Sequence, residues 1–202
     1  MFGTDVEYLC VTTTMITTKY LSCLILRRNL PFLVLLTLLS IGNAQVGSFG
    51  NSTISGTNVE VNTRTALTSN VTAGSTQLSV LSSSMTGAGF GSALSAGDLI
   101  LIIQMQGASI DTTNTSDYGN ITAYNNSGNY EFRCIESIVN STTVVVSIPL
   151  SNSYTADGKA QIIRIPRYSN LTVPTGNSIS PAAWNGSVGG VTAIEIDSTG
   201  EP

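Results

Sequence analysis

The chain has 202 residues, enough for one domain or one and a half. Only 10% of them are charged, against about 25% in ordinary globular domains, and the net charge is −4. With no Lys/Arg cluster past the leader there is no phosphate-neutralising surface, so nucleic-acid binding is not expected, and the absence of histidine removes Ser-His-Asp and Cys-His catalysis and His-ligated zinc.

In chain order, Arg27-Arg28 precede an apolar core over 30–41, and Gly42-Asn43-Ala44 places small residues before Gln45. This is the layout of a secretory signal peptide, and the apolar run is short for a transmembrane helix, which needs about 20 residues. Residues 1–44 are read as that leader, a signal helix in contact with a membrane only before cleavage. Within it, Met15 followed by Lys19, Arg27 and Arg28 makes a better start than Met1, so 1–14 reads as a start-site artefact. Of the three cysteines, Cys10 and Cys23 fall in the leader, so the mature chain keeps only Cys134 and has no internal disulfide. Its setting in an apolar strand reads as packing.

Residues 45–57 are rich in Gly, Ser and Asn and read as a flexible mature N-terminus. Strands are predicted at 58–65, with Val59 and Val61 alternating against Glu60 and Asn62, and at 76–81, with Leu78 and Val80 on one face. Residues 82–95 form a loop. The densest apolar run of the mature chain, 98–106, follows the turn dipeptide Gly97-Asp98. Leu99, Leu101, Ile103 and Met105 share one face of this central strand. Ile100 and Ile102 share the other, which turns polar at Gln104 and Gln106, so the strand should be half-exposed at its end.

Residues 108–129 are the longest polar insertion, and loops beyond about 12–15 residues are often functional. Asp111, Asp117, Tyr118, Tyr124 and Tyr130 are therefore the candidate ligand-facing residues. The three tyrosines either form an aromatic platform for a glycan or fold back over the barrel mouth; the second is the plainer expectation. Asp111 and Asp117 are oxygen donors, but their spacing does not match an EF-hand loop, and Asx-rich turns account for them without a metal. No cofactor or metal is expected.

A strand at 130–139 places Tyr130, Phe132 and Cys134 on one face, and the shift of apolar phase to Ile135 signals a bulge. The turn Asn140-Ser141 returns the chain into 142–150, whose Val144, Val146, Ile148 and Leu150 share a face expected to pack on the wholly apolar face of the central strand. Pro149 marks a strand end. Further strands are read at 161–166, 171–174 and 191–196, with a loop carrying Trp184 at 176–190. The ending after the last strand reads as the N-terminal part of something longer. Eight Asn-x-Ser/Thr sequons occur, at Asn51, Asn70, Asn114, Asn120, Asn125, Asn140, Asn170 and Asn185, as composition alone would produce. Nothing selects a pair among Asp98, Glu131, Glu136 and Glu195 as glycosidase carboxylates, so no enzymatic activity is expected.

The elements predict an all-β chain: a small antiparallel barrel (SH3-like) or sandwich over 58–168, then the start of a second β-unit, such as a first solenoid coil, over 169–202. Four segments carry a family likeness as a set. They are Gly97-Asp98-Leu99-Ile100-Leu101-Ile102-Ile103-Gln104-Met105-Gln106-Gly107, Tyr124-Asn125-Asn126-Ser127-Gly128-Asn129-Tyr130-Glu131-Phe132, Ile163-Arg164-Ile165-Pro166-Arg167-Tyr168-Ser169 and Trp184-Asn185-Gly186-Ser187-Val188-Gly189-Gly190-Val191. Over about 70–196 the chain resembles the N-terminal modules of large secreted cell-surface proteins of the Cytophaga–Flavobacterium (Bacteroidetes) group. Those proteins are adhesin-like or gliding-associated and carry a C-terminal sorting domain for type IX secretion. The resemblance implies an exported, non-catalytic structural or adhesion module at the cell surface, with a surface glycan or another surface protein as partner. The competing reading is an accessory domain of a secreted carbohydrate-active enzyme.

Overall fold

The computed structural model describes residues 49–196 and, as backbone, two strands nearer the N-terminus. The latter, β1 (Tyr8–Met15) and β2 (Thr18–Ile25), pair antiparallel from Tyr8↔Ile25 to Met15↔Thr18. The apolar core 30–41 of the expected signal helix lies outside the described residues.

From residue 49 onward the strands are β3 (Asn51–Thr53), β4 (Thr63–Ala66), β5 (Gln77–Ser79), β6 (Leu99–Gln104), β7 (Ser109–Ile110), β8 (Ile121–Ala123) and β9 (Tyr130–Asn140). They are followed by β10 (Thr143–Val146), β11 (Ala160–Arg164), β12 (Arg167–Tyr168), β13 (Asn170–Thr172) and β14 (Glu195–Ile196). Six of them form an antiparallel sheet in the order β4-β11-β6-β9-β10-β5. The sheet curls until its two edges meet just beyond β4 and β5, at an antiparallel bridge between Leu67 and Val80. Thr68 N–H donates to Ser79 O (2.9 Å) and Leu81 N–H to Ala66 O (3.0 Å) there. Joining the edges pairs backbone groups that an open sheet would leave free.

The interior is filled at period two by Ile100 and Ile102 of β6, Val144 and Val146 of β10 and Ile162 of β11, all at most 1% exposed, with Leu78 and Tyr154. Two register shifts along β9–β10 put both Ile135 and Ile138 on the interior side, so the expected bulge is present. The turn at Asn140 is built by its Oδ1, which accepts from Thr142 N–H at 2.8 Å. β10 stops at Val146, and Ile148 is 62% exposed.

The central strand faces the other way from its expected packing. Ile100 and Ile102, not Leu99, Leu101 and Ile103, meet Val144 and Val146. Leu101, with half-buried Leu99 and Ile103, points out of the barrel and joins Ile163 and Ile165 beneath Val191 and Ala193. Both faces of β6 are thus covered, which is why neither reads as the solvent side. Its polar end is also enclosed: Gln104 is 1% exposed.

The covering segment belongs to a second, parallel arrangement. β3 lies parallel to β13 (Asn51↔Asn170, Ser52↔Leu171, Thr53↔Thr172), and β12 lies parallel to β14. Phe49 N–H donates to Arg167 O and Ser169 N–H to Gly50 O, both at 2.9 Å, while Glu195 N–H donates to Pro166 O at 3.1 Å. Farther along, Val59 bridges Ile179, also parallel. The stretch at 167–172 is therefore a middle layer, with 49–53 against one edge and 195–196 against the other. Parallel neighbours need a long crossover. Between the first and second layers that crossover is the whole barrel. The stretch 45–57, expected to be flexible, contains the first layer.

Two buried side-chain amides fasten the layers to the barrel. Asn62 Nδ2 donates to Arg164 O (2.9 Å) and Ala193 O (2.7 Å), while its Oδ1 accepts from Ala193 N–H (3.0 Å). Gln161, fully buried on the outer face of β11, exchanges two 2.9 Å bonds with the backbone of Gly189. Gly189 has φ +120°, and a Cβ there would lie 2.9 Å from the carbonyl carbon of Ala183, so only glycine fits.

Candidate functional site

The long insertion leaves β6 and re-enters the barrel at β9, and a buried amide holds its base. Gln104 Nε2 donates to Gln106 O (2.8 Å) and Asn125 O (2.9 Å), and its Oε1 accepts from Thr155 N–H (2.8 Å). Asn125 Nδ2 in turn donates to Gly107 O and Ser109 Oγ. Asn125 and Asn126 hold left-handed backbone (φ 48° and 66°), a conformation asparagine tolerates better than most residues. Of the sequon asparagines, Asn140 and Asn185 close local turns with Oδ1, while Asn70 Oδ1 accepts from Ala156 N–H and Asn125 Nδ2 donates to Gly107 O across longer stretches of chain.

Beyond that base the insertion carries the short hairpin β7–β8. Asp111 and Asp117 build its tip. Asp111 Oδ1 accepts from the Thr113 hydroxyl (2.6 Å) and backbone N–H (2.7 Å), and these bonds, the hydroxyl's above all, hold its carboxyl below the ordinary aspartate range. Asp117 Oδ1 accepts from Asn120 Nδ2 at 3.4 Å. The Asp111 carboxylate closes an Asx turn, whereas at Asp117 the turn is closed by its backbone carbonyl, which accepts from Asn120 N–H at 2.9 Å.

The tyrosines do not fold back over the barrel mouth. Tyr118 and Tyr124 are each 68% exposed and Tyr130 60%. The ring that meets Tyr130 is Phe132, two residues along β9 and 50% exposed, edge-to-face at 6.3 Å. Phe132 was legible as a same-face neighbour of Tyr130, but not as exposed. On the barrel's outer face Tyr130 and Phe132 stand opposite Ile103 and Leu101 of β6. The segment carrying Val191 and Ala193 covers the β6 side, and the β9 side stays open. Cys134, next on the same face, is a half-buried free thiol.

The strand under these rings is rigidly supported from inside. Glu131, 7% exposed, accepts from Ser151 N–H (2.9 Å), Asn152 N–H (3.1 Å) and the Tyr154 hydroxyl (2.9 Å), and pairs with Arg133. Burial and the hydrogen bond to Glu131 push the Tyr154 phenol well above its ordinary range, so it stays a neutral donor. Arg133 also donates to Pro149 O and Ser151 Oγ. The result is an exposed aromatic pair on a strand whose intervening residue, Glu131, is anchored on the opposite face.

No family model and no curated protein matches the chain. Among solved structures, the Gp54 tailspike of Acinetobacter baumannii bacteriophage AP22, in complex with a capsular saccharide, is 17% identical with a TM-score of 0.35, over 62% of this chain and 18% of that one. The tailspike gp49 of Pseudomonas phage LKA1 is 16% identical (TM-score 0.31; 61% of this chain, 22% of that one). The Pseudomonas phage phi297 tailspike gp61 is 12% identical (TM-score 0.33; 72% and 23%). The chain spans less than a quarter of the length of each, and at these scores the likeness carries no argument about function.

Proposed function

We propose that this chain is a non-catalytic adhesion module, exported to the cell surface as part of a larger protein, and that the outer face of β9 binds a surface glycan. One observation carries the reading: Tyr130 and Phe132 hold two rings in solvent on a strand paired on both sides and anchored on its other face by Glu131. Large apolar groups held exposed on a rigid element mark interaction surfaces. The C–H face of a pyranose packs on such rings, and its hydroxyls suit the Asn/Ser/Thr-rich insertion that runs directly into Tyr130. Export and surface location rest on the leader pattern and on the resemblance to secreted Bacteroidetes surface modules.

The test is binding of the exported chain to a glycan array and to insoluble polysaccharide, repeated with Tyr130→Ala/Phe132→Ala. Exposed positions cost little stability, so the double variant should keep its unfolding midpoint and lose at least about tenfold in affinity. Binding that survives the double replacement puts the glycan elsewhere. New reducing ends released from the polysaccharide would overturn the non-catalytic reading, and a mature N-terminus other than Gln45 would overturn the assigned cleavage site.

A further inference from the structure

The geometry points to a second saccharide site, independent of the aromatic face, in a polar depression where the first layer of the stack runs into β4. The depression has a volume of about 400 Å³ and opens to solvent. One wall is Glu60, Thr63 and Arg64; the other is Ser82, Ser84 and Thr86 of the loop after β5, with Met85 among the lining residues. The two walls come together because the barrel closes at Leu67–Val80, and Ser82 N–H donates to Thr65 Oγ1 (3.0 Å) just below that closure.

The loop wall is held in a costly shape. Met85 and Ala88 take φ of 40° and 50°, a left-handed backbone that side chains other than Gly, Asn or Asp rarely adopt. Met85 O is pinned by the Thr63 hydroxyl (2.8 Å) and by Arg164 Nη1 (3.3 Å). Strain that the surroundings enforce gathers at ligand clamps. On the opposite wall Arg64 is largely enclosed, its side chain 14% exposed. Its Nη2 donates to Glu60 Oε2 (3.2 Å) and Asn62 O (2.9 Å), and its buried Nε has no hydrogen-bond partner.

This arrangement selects a class of ligand. A guanidinium and a carboxylate fixed side by side offer a donor and an acceptor to two neighbouring hydroxyls of one sugar ring. The serine and threonine hydroxyls opposite supply further partners, and Met85, 6% exposed with its side chain in the barrel core, lies beneath the depression and reports on its occupancy. Because Glu60 already balances Arg64, an acidic ligand gains nothing from the cation without meeting the carboxylate. The ligand is therefore a neutral sugar with a vicinal diol, and the volume lies at the small end of ligand pockets.

The experiment uses the full chain with [13C-methyl]methionine, the Met85 resonance assigned from Met85→Leu. It is titrated with D-mannose, D-galactose and D-glucuronate. The Met85 signal should shift saturably with a neutral sugar. The shift should weaken at least about tenfold in Arg64→Gln and also in Glu60→Gln, whose half-exposed side chain leaves the fold intact. It should be unchanged in Tyr130→Ala/Phe132→Ala, so the two sites fail separately. No Met85 shift with any of the three sugars, or a shift indifferent to both charge-removing variants, overturns the site. A response to glucuronate alone overturns the neutral-ligand reading.

Discussion

Replacing Gly158 by alanine tests whether one amide holds the long insertion to the barrel. Gly158 sits against Gln104: a Cβ there would lie 2.5 Å from Gln104 Cδ and 2.6 Å from Thr155 Oγ1, with the amide nitrogen closer still. Gln104 is 1% exposed, so it has no solvent side to turn into, and any displacement gives up its bonds to Gln106 O, Asn125 O and Thr155 N–H. Forcing an extra methyl into a packed site costs about 1–3 kcal/mol. Polar groups left unpaired add about 1–3 kcal/mol, part of it recovered where water reaches Thr155 N–H and Asn125 O. A loss of about 3–4 kcal/mol is expected, which for a domain of this size lowers Tm by roughly 6–16 °C. Thermal unfolding followed by Trp184 fluorescence measures it. The cause is isolated in a Gln104→Ala background, where Gly158→Ala should cost less than half as much because its principal obstacle is gone. A change of under about 2 °C for the single variant, or equal costs in both backgrounds, refutes the reasoning.

Gln161→Leu should cost about 2–4 kcal/mol in urea unfolding, because the N–H and C=O of Gly189 both lose their partners under cover; a loss below about 0.5 kcal/mol would mean that water replaces the amide. Tyr154 gives a pH prediction. Its folded pKa is raised by burial and by Glu131 above the ordinary 10.0, so its contribution is fully present below that pH and is lost as pH rises toward the folded value. The slope is about 1.4 kcal/mol per pH unit, with a further share from Tyr168, also raised by burial. Tyr154→Phe should flatten its share of the alkaline slope in urea midpoints taken from about pH 9 to pH 11, and an unchanged slope would assign the titration elsewhere.

How much of this was legible depends on how local each determinant is. The alternation through Leu99–Gln104 and Val144–Val146 and the Asn140 turn come from side-chain periodicity and turn chemistry within a few residues, whereas the strand expected to run to 150 stops at Val146 and leaves Ile148 in solvent. The inward face of β6 was not legible. Both its faces are apolar, and the choice depends on Val191 and Ala193 arriving over the outer one. The same cover explains the exposed rings: it reaches β6 and stops short of β9, so Phe132 is in solvent while Leu101, its cross-strand partner, is buried. The acidic candidates Asp111 and Asp117 lie in the insertion, where Asp111 Oδ1 closes a turn with Thr113 N–H and Asp117 Oδ1 meets the Asn120 side chain.

The sequence by itself determined an all-β chain, its principal strands and the polar insertion carrying Tyr118 and Tyr124, because each is written in neighbouring residues. Only the tertiary structure decided that the barrel interrupts a parallel stack, since Gly56 meets Asn177 across 121 residues with no local signal to announce it. Barrel closure likewise decided that Glu60 and Arg64 face Ser82 and Ser84. Strand pairing follows backbone hydrogen bonding, which is blind to side-chain identity, so the partner of a short polar strand is settled by the packing around it.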